Sequence, residues 1–193
     1  MGKGGCKQTN PLLPCKVRIE RAIALSAIAR AGLFLVNAPF SMFHIVLIEP
    51  EIPPNTGNVG RLCLATGAHL HLVKPLGFLI DDRTLLRAGL DYWKEVQVAL
   101  WDSFDALRAA QAADARFFFL TTKSTRAFWD TPFQDGDFLV FGRETKGLPE
   151  SLLSANQDRC LTIPMTNQTR SLNLANSVAI VLFEAIRQAR PAA

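Results

Sequence analysis

The feature that most constrains this chain is a train of short apolar runs, each of strand length, separated by segments of helical periodicity. The strand candidates are "FHIVLIE" (43–49), "HLHLVKP" (69–75), "EVQVALW" (95–101), "RFFFLTTK" (116–123), "DFLVFG" (137–142) and "CLTIPM" (160–165). Between them, "NTGNVGRLCLATG" (55–67) repeats Val59, Leu62, Cys63 and Leu64 at helical spacing, with Asn55 placed to cap and Gly67 to close. "DSFDALRAAQAAD" (102–114) reads as a helix capped by Asp102 or Ser103, and "SLNLANSVAIVLFEAIRQAR" (171–190) as a long helix with an apolar stripe. Strands that are apolar throughout bury both faces, and their alternation with helices predicts an α/β fold: a mostly parallel sheet with helices on both faces. In such sheets ligands sit beyond the carboxyl ends of the strands. The loops after Leu120, Phe141 and Ile163 are therefore the places to look.

The strand–helix pattern begins at Met42 and fits one domain over 42–193. Hydrophobic residues make up 49% of the chain and charged residues 20%, which excludes a disordered protein. The net charge of +4 belongs to the N-terminal stretch. Residues 1–41 carry six Lys/Arg against Glu20 alone, whereas 42–193 hold 15 Lys/Arg and 16 Asp/Glu. Any surface for nucleic acid must then be local. Basic residues before the apolar "AIALSAIARAGLFLVNAPF" (22–40) leave three readings of residues 1–41: sequence upstream of the functional start, an extension that is disordered or touches a membrane, or an export signal. Arg30 interrupts the apolar run and argues against a membrane span. Cys6, Cys15, Cys63 and Cys160 form no CxxC pair and no metal-ligand spacing, and read as reduced thiols of a cytoplasmic protein.

Three loops carry chemistry. "PPNTGNVGR" (53–61) is rich in small residues and ends on Arg61. Its glycines and helix-start amides suit a phosphate, and Arg61 suits a phosphate or carboxylate; a surface arginine on a capped helix fits equally. It matches neither a P-loop nor GxGxxG. "FGRETKGLP" (141–149) packs Arg143, Glu144 and Lys146 at a strand's carboxyl end between two glycines. "IPMTNQTRSLNLANSVA" (163–179) follows a strand with a polar run, and Asn173, Asn176 and Ser177 mark the first turns of the last helix. Several amides together at a helix start call for a polar partner, a ligand or another subunit. His44, His69 and His71 sit in strands and read as structural.

These segments, in this order and together with "RAGLDYW" (87–93) and "TTK" (121–123), resemble the motifs of SPOUT-class RNA methyltransferases of the TrmH-like branch. Within it they look like the small tRNA (cytidine/uridine-2'-O)-methyltransferases of the TrmL (YibK) type. The resemblance spans Met42 to Arg190 and five separate motifs, and residues 1–41 have no counterpart in it. It implies a SPOUT α/β fold with a C-terminal trefoil knot, which the general rule against threaded chains would not predict. It implies S-adenosylmethionine as cofactor, no metal and no membrane, a homodimer, and transfer of a methyl group to the ribose 2'-hydroxyl of the wobble nucleotide, cytidine or uridine 34, in the tRNA anticodon stem-loop of leucine tRNAs.

Carried over residue by residue, the resemblance assigns Leu120, Gly142, Ile163 and Ser171 to the cofactor. Arg61, from the neighbouring subunit, together with Glu144 and Asn173, is assigned to catalysis. A guanidinium is no general base, so Arg61 is expected to position the ribose or stabilise developing alkoxide charge. Asn55, Arg143, Lys146, Arg170 and Tyr92 are candidate RNA contacts; Arg143 and Lys146 could equally be solvated loop charges. Tyr92 and Trp93 could stack on a base or sit in the core. Glycines around Arg61 would let the RNA backbone approach. The stripe Leu172, Val178, Val181, Leu182 and Ile186 suits either a dimer interface or the core. Phe183 stands where related sequences can carry tyrosine. Two competing readings keep the fold: a 2'-O-methyltransferase for another tRNA or ribosomal RNA site, and a non-catalytic RNA-binding protein.

Overall fold

A computed structural model of the chain describes residues 42–78, 91–166 and 168–190, and of 91 and 92 the backbone only. The expectations for residues 1–41, including Cys6 and Cys15, for most of "RAGLDYW" and for the Tyr92 side chain lie outside the described residues.

Six described strands form one parallel sheet: β1 His44–Ile48, β2 His69–Val73, β3 Val98–Trp101, β4 Phe117–Leu120, β5 Phe138–Phe141 and β6 Cys160–Leu161, in the order β3-β2-β1-β5-β4-β6. β1 pairs with β2 from His44↔His69 and with β5 from His44↔Phe138. The order reverses between β1 and β5, so their carboxyl ends open a crevice where ligands sit in doubly wound sheets.

Period-two alternation splits each strand between two cores. Ile45, Leu47, Leu70, Leu72, Leu139 and Phe141 face one layer, with Val59 and Cys63 of helix α1 (Pro53–Thr66) and Val178, Val181, Leu182 and Ile186 of helix α4 (Leu174–Ala189). Val46, Ile48, Phe117, Phe119 and Val140 face the other, with Leu107 of α2 (Phe104–Ala109) and Leu153 of α3 (Glu150–Ser154). Helices thus cover both faces, as the continuous apolar strands require. The stripe of α4 belongs to this core: Val178, Val181 and Leu182 are fully buried and Ile186 nearly so, which corrects the reading that would offer them to a partner. The outward face of α4 carries Ile180 and Phe183 instead, the latter 54% exposed.

Local chemistry explains the boundaries. α1 starts two residues before Asn55 because Pro53 and Pro54 occupy its first turn, where the missing N–H has no intrahelical use. Gly67 closes it at φ 77°. Ser103 caps α2, its Oγ accepting from the Ala106 amide at 3.1 Å. α2 stops at Ala109, short of the expected 114. Leu107 is its one buried residue, and so short a stretch has little packing to extend it. β6 ends at Leu161 because Thr162 turns to bridge Ala127 and Pro164 follows.

Cys63 and Cys160 are free, buried thiols, and burial pushes Cys63 up to about 12, far from a reactive thiolate. The histidines are structural as read. Trp101 Nε1 donates to His71 Nδ1 at 3.1 Å, and His71 Nε2 lies 3.0 Å from His44 Nδ1. Trp93 is a packing residue: its ring lies where a Cβ on Gly60 would stand, 2.6 Å away. That glycine in α1 therefore admits the protein's own indole, and the expectation that it admits RNA backbone is corrected.

Candidate active site

A cleft of about 530 Å³ opens at the carboxyl ends of β4, β5 and β6. Leu120, Gly142, Ile163 and Ser171 all line it, as do Asn55, Arg143, Glu144, Lys146, Arg170 and Asn173. Three loops far apart in sequence thus converge where the strand ends predict.

The loop after β5 is a tight hairpin. Arg143 N donates to Gly147 O at 3.2 Å and Gly147 N to Arg143 O at 2.9 Å. Gly147 turns the chain at φ 68°. Gly142 is required by contact: a Cβ there would lie 2.2 Å from the Gly147 carbonyl carbon and 2.3 Å from the Leu148 nitrogen. No side chain fits between backbone strands at that separation.

The hairpin is tied to the start of α1. Ile52 at the helix N-cap supplies no capping side chain. The Glu144 carboxylate takes that place, accepting from the backbone amides of Glu51 (2.9 Å) and Ile52 (3.3 Å) and from Asn55 Nδ2 (3.0 Å). A carboxylate at a helix N-terminus meets unpaired amides and the positive end of the dipole. The expectation that these amides await a phosphate is therefore corrected: the chain fills the site with its own anion. Glu51 reciprocates, its carboxylate accepting from Thr145 Oγ1 at 2.7 Å and Thr145 N at 3.2 Å.

Asn55 is not the helix cap but a buried relay, 6% exposed. Its Oδ1 accepts from Asn173 Nδ2 at 2.9 Å while its Nδ2 serves Glu144. Both ends of its amide are engaged inside the protein, which makes it part of the scaffold of the cleft it lines. Asn173 caps α4, its Oδ1 accepting from Ala175 N (2.9 Å) and Asn176 N (3.4 Å), and Ser177 Oγ donates to its carbonyl at 3.1 Å. The polar partner that the amides of the third motif demanded is thus Asn55, and through it Glu144. Arg143 forms an ion pair with Glu49, so its charge is answered within the protein. Lys146, at the hairpin tip, and Arg170 are exposed at the mouth of the cleft. Arg61 lies on the exposed face of α1, outside the lining of this protomer's cleft. Sequence reasoning missed Glu49, Glu51 and Thr145. The signal available was the doubled acid of "EPE" at a strand's carboxyl end.

Among the described residues no group of His, Cys, Asp or Glu could hold a metal ion, and no helix is long and apolar enough to cross a membrane.

A doubly wound parallel sheet with a cleft beyond the carboxyl ends of β4, β5 and β6 belongs to the class of α/β proteins that bind ligands at their strand ends. The profile described as the SpoU rRNA Methylase family matches residues 42–183. The chain belongs to that methyltransferase family. A Burkholderia cenocepacia (strain HI2424) protein named tRNA (cytidine(34)-2'-O)-methyltransferase is 54% identical over 151 residues, 77% of this chain and 96% of that one. A solved structure described as giving insights into the 2-OH methylation of C/U34 on tRNA superposes with a TM-score of 0.72 at 46% identity, covering 77% of this chain and 96% of that one. An AdoMet-bound rRNA methyltransferase from Sinorhizobium meliloti superposes with a TM-score of 0.66 at 26% identity, over 76% of this chain and 56% of that one.

Proposed function

We propose that this protein uses S-adenosylmethionine to methylate the ribose 2'-hydroxyl of nucleotide 34, cytidine or uridine, in the anticodon stem-loop of tRNA, with leucine tRNAs as substrates. The observation that carries the reading is the Glu144–Asn55–Asn173 relay at the head of a cleft lined by Leu120, Gly142, Ile163 and Ser171. Relatives at about 50% identity are named tRNA (cytidine(34)-2'-O)-methyltransferase, which supports the cytidine 34 part of the reading.

The cleft fits the cofactor. Its volume lies within the range of small-molecule sites, and its walls mix apolar side chains with backbone exposed by the glycine hairpin. Leu120, Gly142, Ile163 and Ser171 would hold it, through backbone groups for the most part. When bound, S-adenosylmethionine supplies a methyl group activated by its sulfonium. What remains for the protein is alignment of the hydroxyl and relief of its developing charge. Glu144 and Asn173 hold two walls of the cleft in register through Asn55. A guanidinium is a poor general base. We assign Arg61 to binding the adjacent phosphate and stabilising the emerging alkoxide in a neighbouring subunit's site, with the hydroxyl proton passing to another acceptor.

A homodimer accords with this assignment, because Arg61, Leu64, Ile180 and Phe183 lie exposed on α1 and α4, two helices that pack together. The trefoil knot, a cytoplasmic location and the dispensability of residues 1–41 complete the reading. The family match beginning at residue 42 supports the last.

The test is methyl transfer by the full chain to tRNA lacking wobble methylation, followed by digestion and mass spectrometry of the nucleosides. A 2'-O-methyl group on nucleotide 34 is expected. Methylation at another nucleotide would keep the enzyme class and remove the substrate assignment, and a protein that binds S-adenosylmethionine without methylating any RNA would sink the activity.

A further inference from the structure

Glu49 follows β1 with φ 52°, the one residue other than glycine with positive φ among the described residues. An L side chain avoids this left-handed region, and glycine or asparagine would adopt it with less strain. Strained backbone that persists at the rim of a site points to a role for the side chain it carries.

That side chain reaches the hairpin of the cofactor cleft. Its carboxylate forms an ion pair with Arg143, and the two side chains are 20% and 34% exposed. The Glu49 amide donates to Val73 O at 2.9 Å, so the turn itself is anchored to β2. On its other side Glu49 lines a second cleft, whose nearest cations are already engaged. Lys74 pairs with Asp102 at 2.9 Å, and Arg108 donates to Asn156 at 3.3 Å. Arg143 is thus the cation left to Glu49.

The consequence lies in what adjoins Arg143. Gly142 before it is squeezed against Gly147, and Glu144 after it caps α1. Consecutive residues 143, 144 and 145 all reach the β1–α1 turn, at Glu49, at the Glu51 and Ile52 amides, and at the Glu51 carboxylate. A two-residue backbone bridge alone would leave such a hairpin free to hinge about Gly142. The ion pair adds a third consecutive tie to those of Glu144 and Thr145, at the residue next to Gly142.

We infer that Glu49 is a positioning residue for the cofactor: through Arg143 it fixes the hairpin wall of the cleft, and its strained backbone places the carboxylate to do so. This rests on the cofactor assignment above. It gives Arg143 an internal partner in place of RNA phosphate.

The experiment is calorimetric binding of S-adenosylmethionine, with steady-state methylation, for the wild type, Glu49→Gln, Glu49→Gly, Arg143→Gln and the Glu49→Gln/Arg143→Gln double variant. Glu49→Gly relieves the backbone and so should hold or raise the melting temperature. It should nonetheless weaken cofactor binding by about three- to thirty-fold, the range over which one coupled contact modulates a neighbouring site. KM for the cofactor should rise with kcat recovered at saturation, and the double variant should be no weaker than the worse single one. Wild-type affinity in both Glu49 variants, at a wild type that binds, would overturn the inference; a wild type that does not bind would overturn the cofactor assignment itself. Affinity that falls only in step with melting temperature, with Glu49→Gly unaffected, would reduce Glu49 to a structural residue. Additive losses in the double variant would separate Glu49 from Arg143.

Discussion

Asn173 Nδ2 donates to Asn55 Oδ1 at 2.9 Å across 118 residues of sequence, joining the cap of the last helix to the first turn of the first. Asn55 then passes a donor to Glu144. An amide side chain can do both at once, accepting at its oxygen and donating from its nitrogen. Asn55→Asp keeps the acceptor and sets a second carboxylate against the first. At pH 7 it should destabilise the fold by roughly 1–3 kcal/mol, as a buried group loses its partner and gains a like charge. Urea unfolding of variant and wild type at pH 7 checks this; wild-type stability in the variant would mean that the relay does not hold the two helices.

Arg61→Ala should lower the rate of methyl transfer by about 10²-fold or more, in keeping with loss of a contact made in the transition state. Calorimetric binding of S-adenosylmethionine should be kept, because Arg61 does not line the cofactor cleft of its own protomer. Arg61→Lys should recover little, since an ammonium cannot present the planar fork. Loss of cofactor binding in Arg61→Ala would contradict the assigned role.

Gly142→Ala tests the hairpin by sterics alone. The added methyl meets backbone, not a flexible side-chain tip, at 2.2–2.4 Å. The bridge between Arg143 and Gly147 must open to admit it, costing about 1–3 kcal/mol. Cofactor binding should fall with the melting temperature, as calorimetry and thermal unfolding would record. Unchanged binding would mean that the hairpin is not a wall of the cofactor site.

Much of this was legible from residue order. Fully apolar strands such as "FLVF" announce a sheet buried on both faces, and the places where strands meet Gly142 and Pro164 mark the cleft. The side-chain partnerships were not legible. Asn55 reads as a cap because capping is a local rule, whereas the actual cap, Glu144, arrives from 89 residues away. Gly60 reads as room for a ligand because sequence does not reveal that Trp93 fills it. The stripe of α4 fits a core and an interface equally until the sheet it covers is placed.

The histidine network should make stability fall with acid. The Trp101 indole can only donate, so His71 accepts at Nδ1, carries its proton on Nε2 and donates it to His44 Nδ1. Both rings are held neutral: burial, with neighbouring histidines adding to it, lowers His44 to about 4 and His71 to about 3. Their folded values lie below the ordinary 6.5, so the unfolded chain binds protons first. Stability is full above pH 6.5 and declines toward pH 4, each histidine adding at most roughly 1.4 kcal/mol per pH unit to the slope. Urea midpoints across this window should fall less steeply for His71→Gln than for the wild type. Parallel curves would exclude the network as the source.

The sharpest consequence concerns which subunit supplies Arg61. It stands on the outer face of α1, outside its own cleft, while α4 beside it exposes Ile180 and Phe183. If those surfaces meet across a two-fold axis, each site is built from two chains. An Arg61→Ala protomer then keeps an intact cofactor cleft, and a Glu144→Gln protomer keeps an intact arginine. Unfolding the two inactive proteins together and refolding them at equal amounts yields about half heterodimers, each with one site free of both defects, or about a quarter of all sites. Methylation should therefore return to roughly that fraction of wild type from two proteins that are each inactive alone. Phe183→Glu, introduced into both, should abolish the recovery and convert the protein to monomers in sedimentation analysis, because a charge would be buried unpaired at the contact. No recovery on mixing, with heterodimers present, would place Arg61 in its own subunit's site.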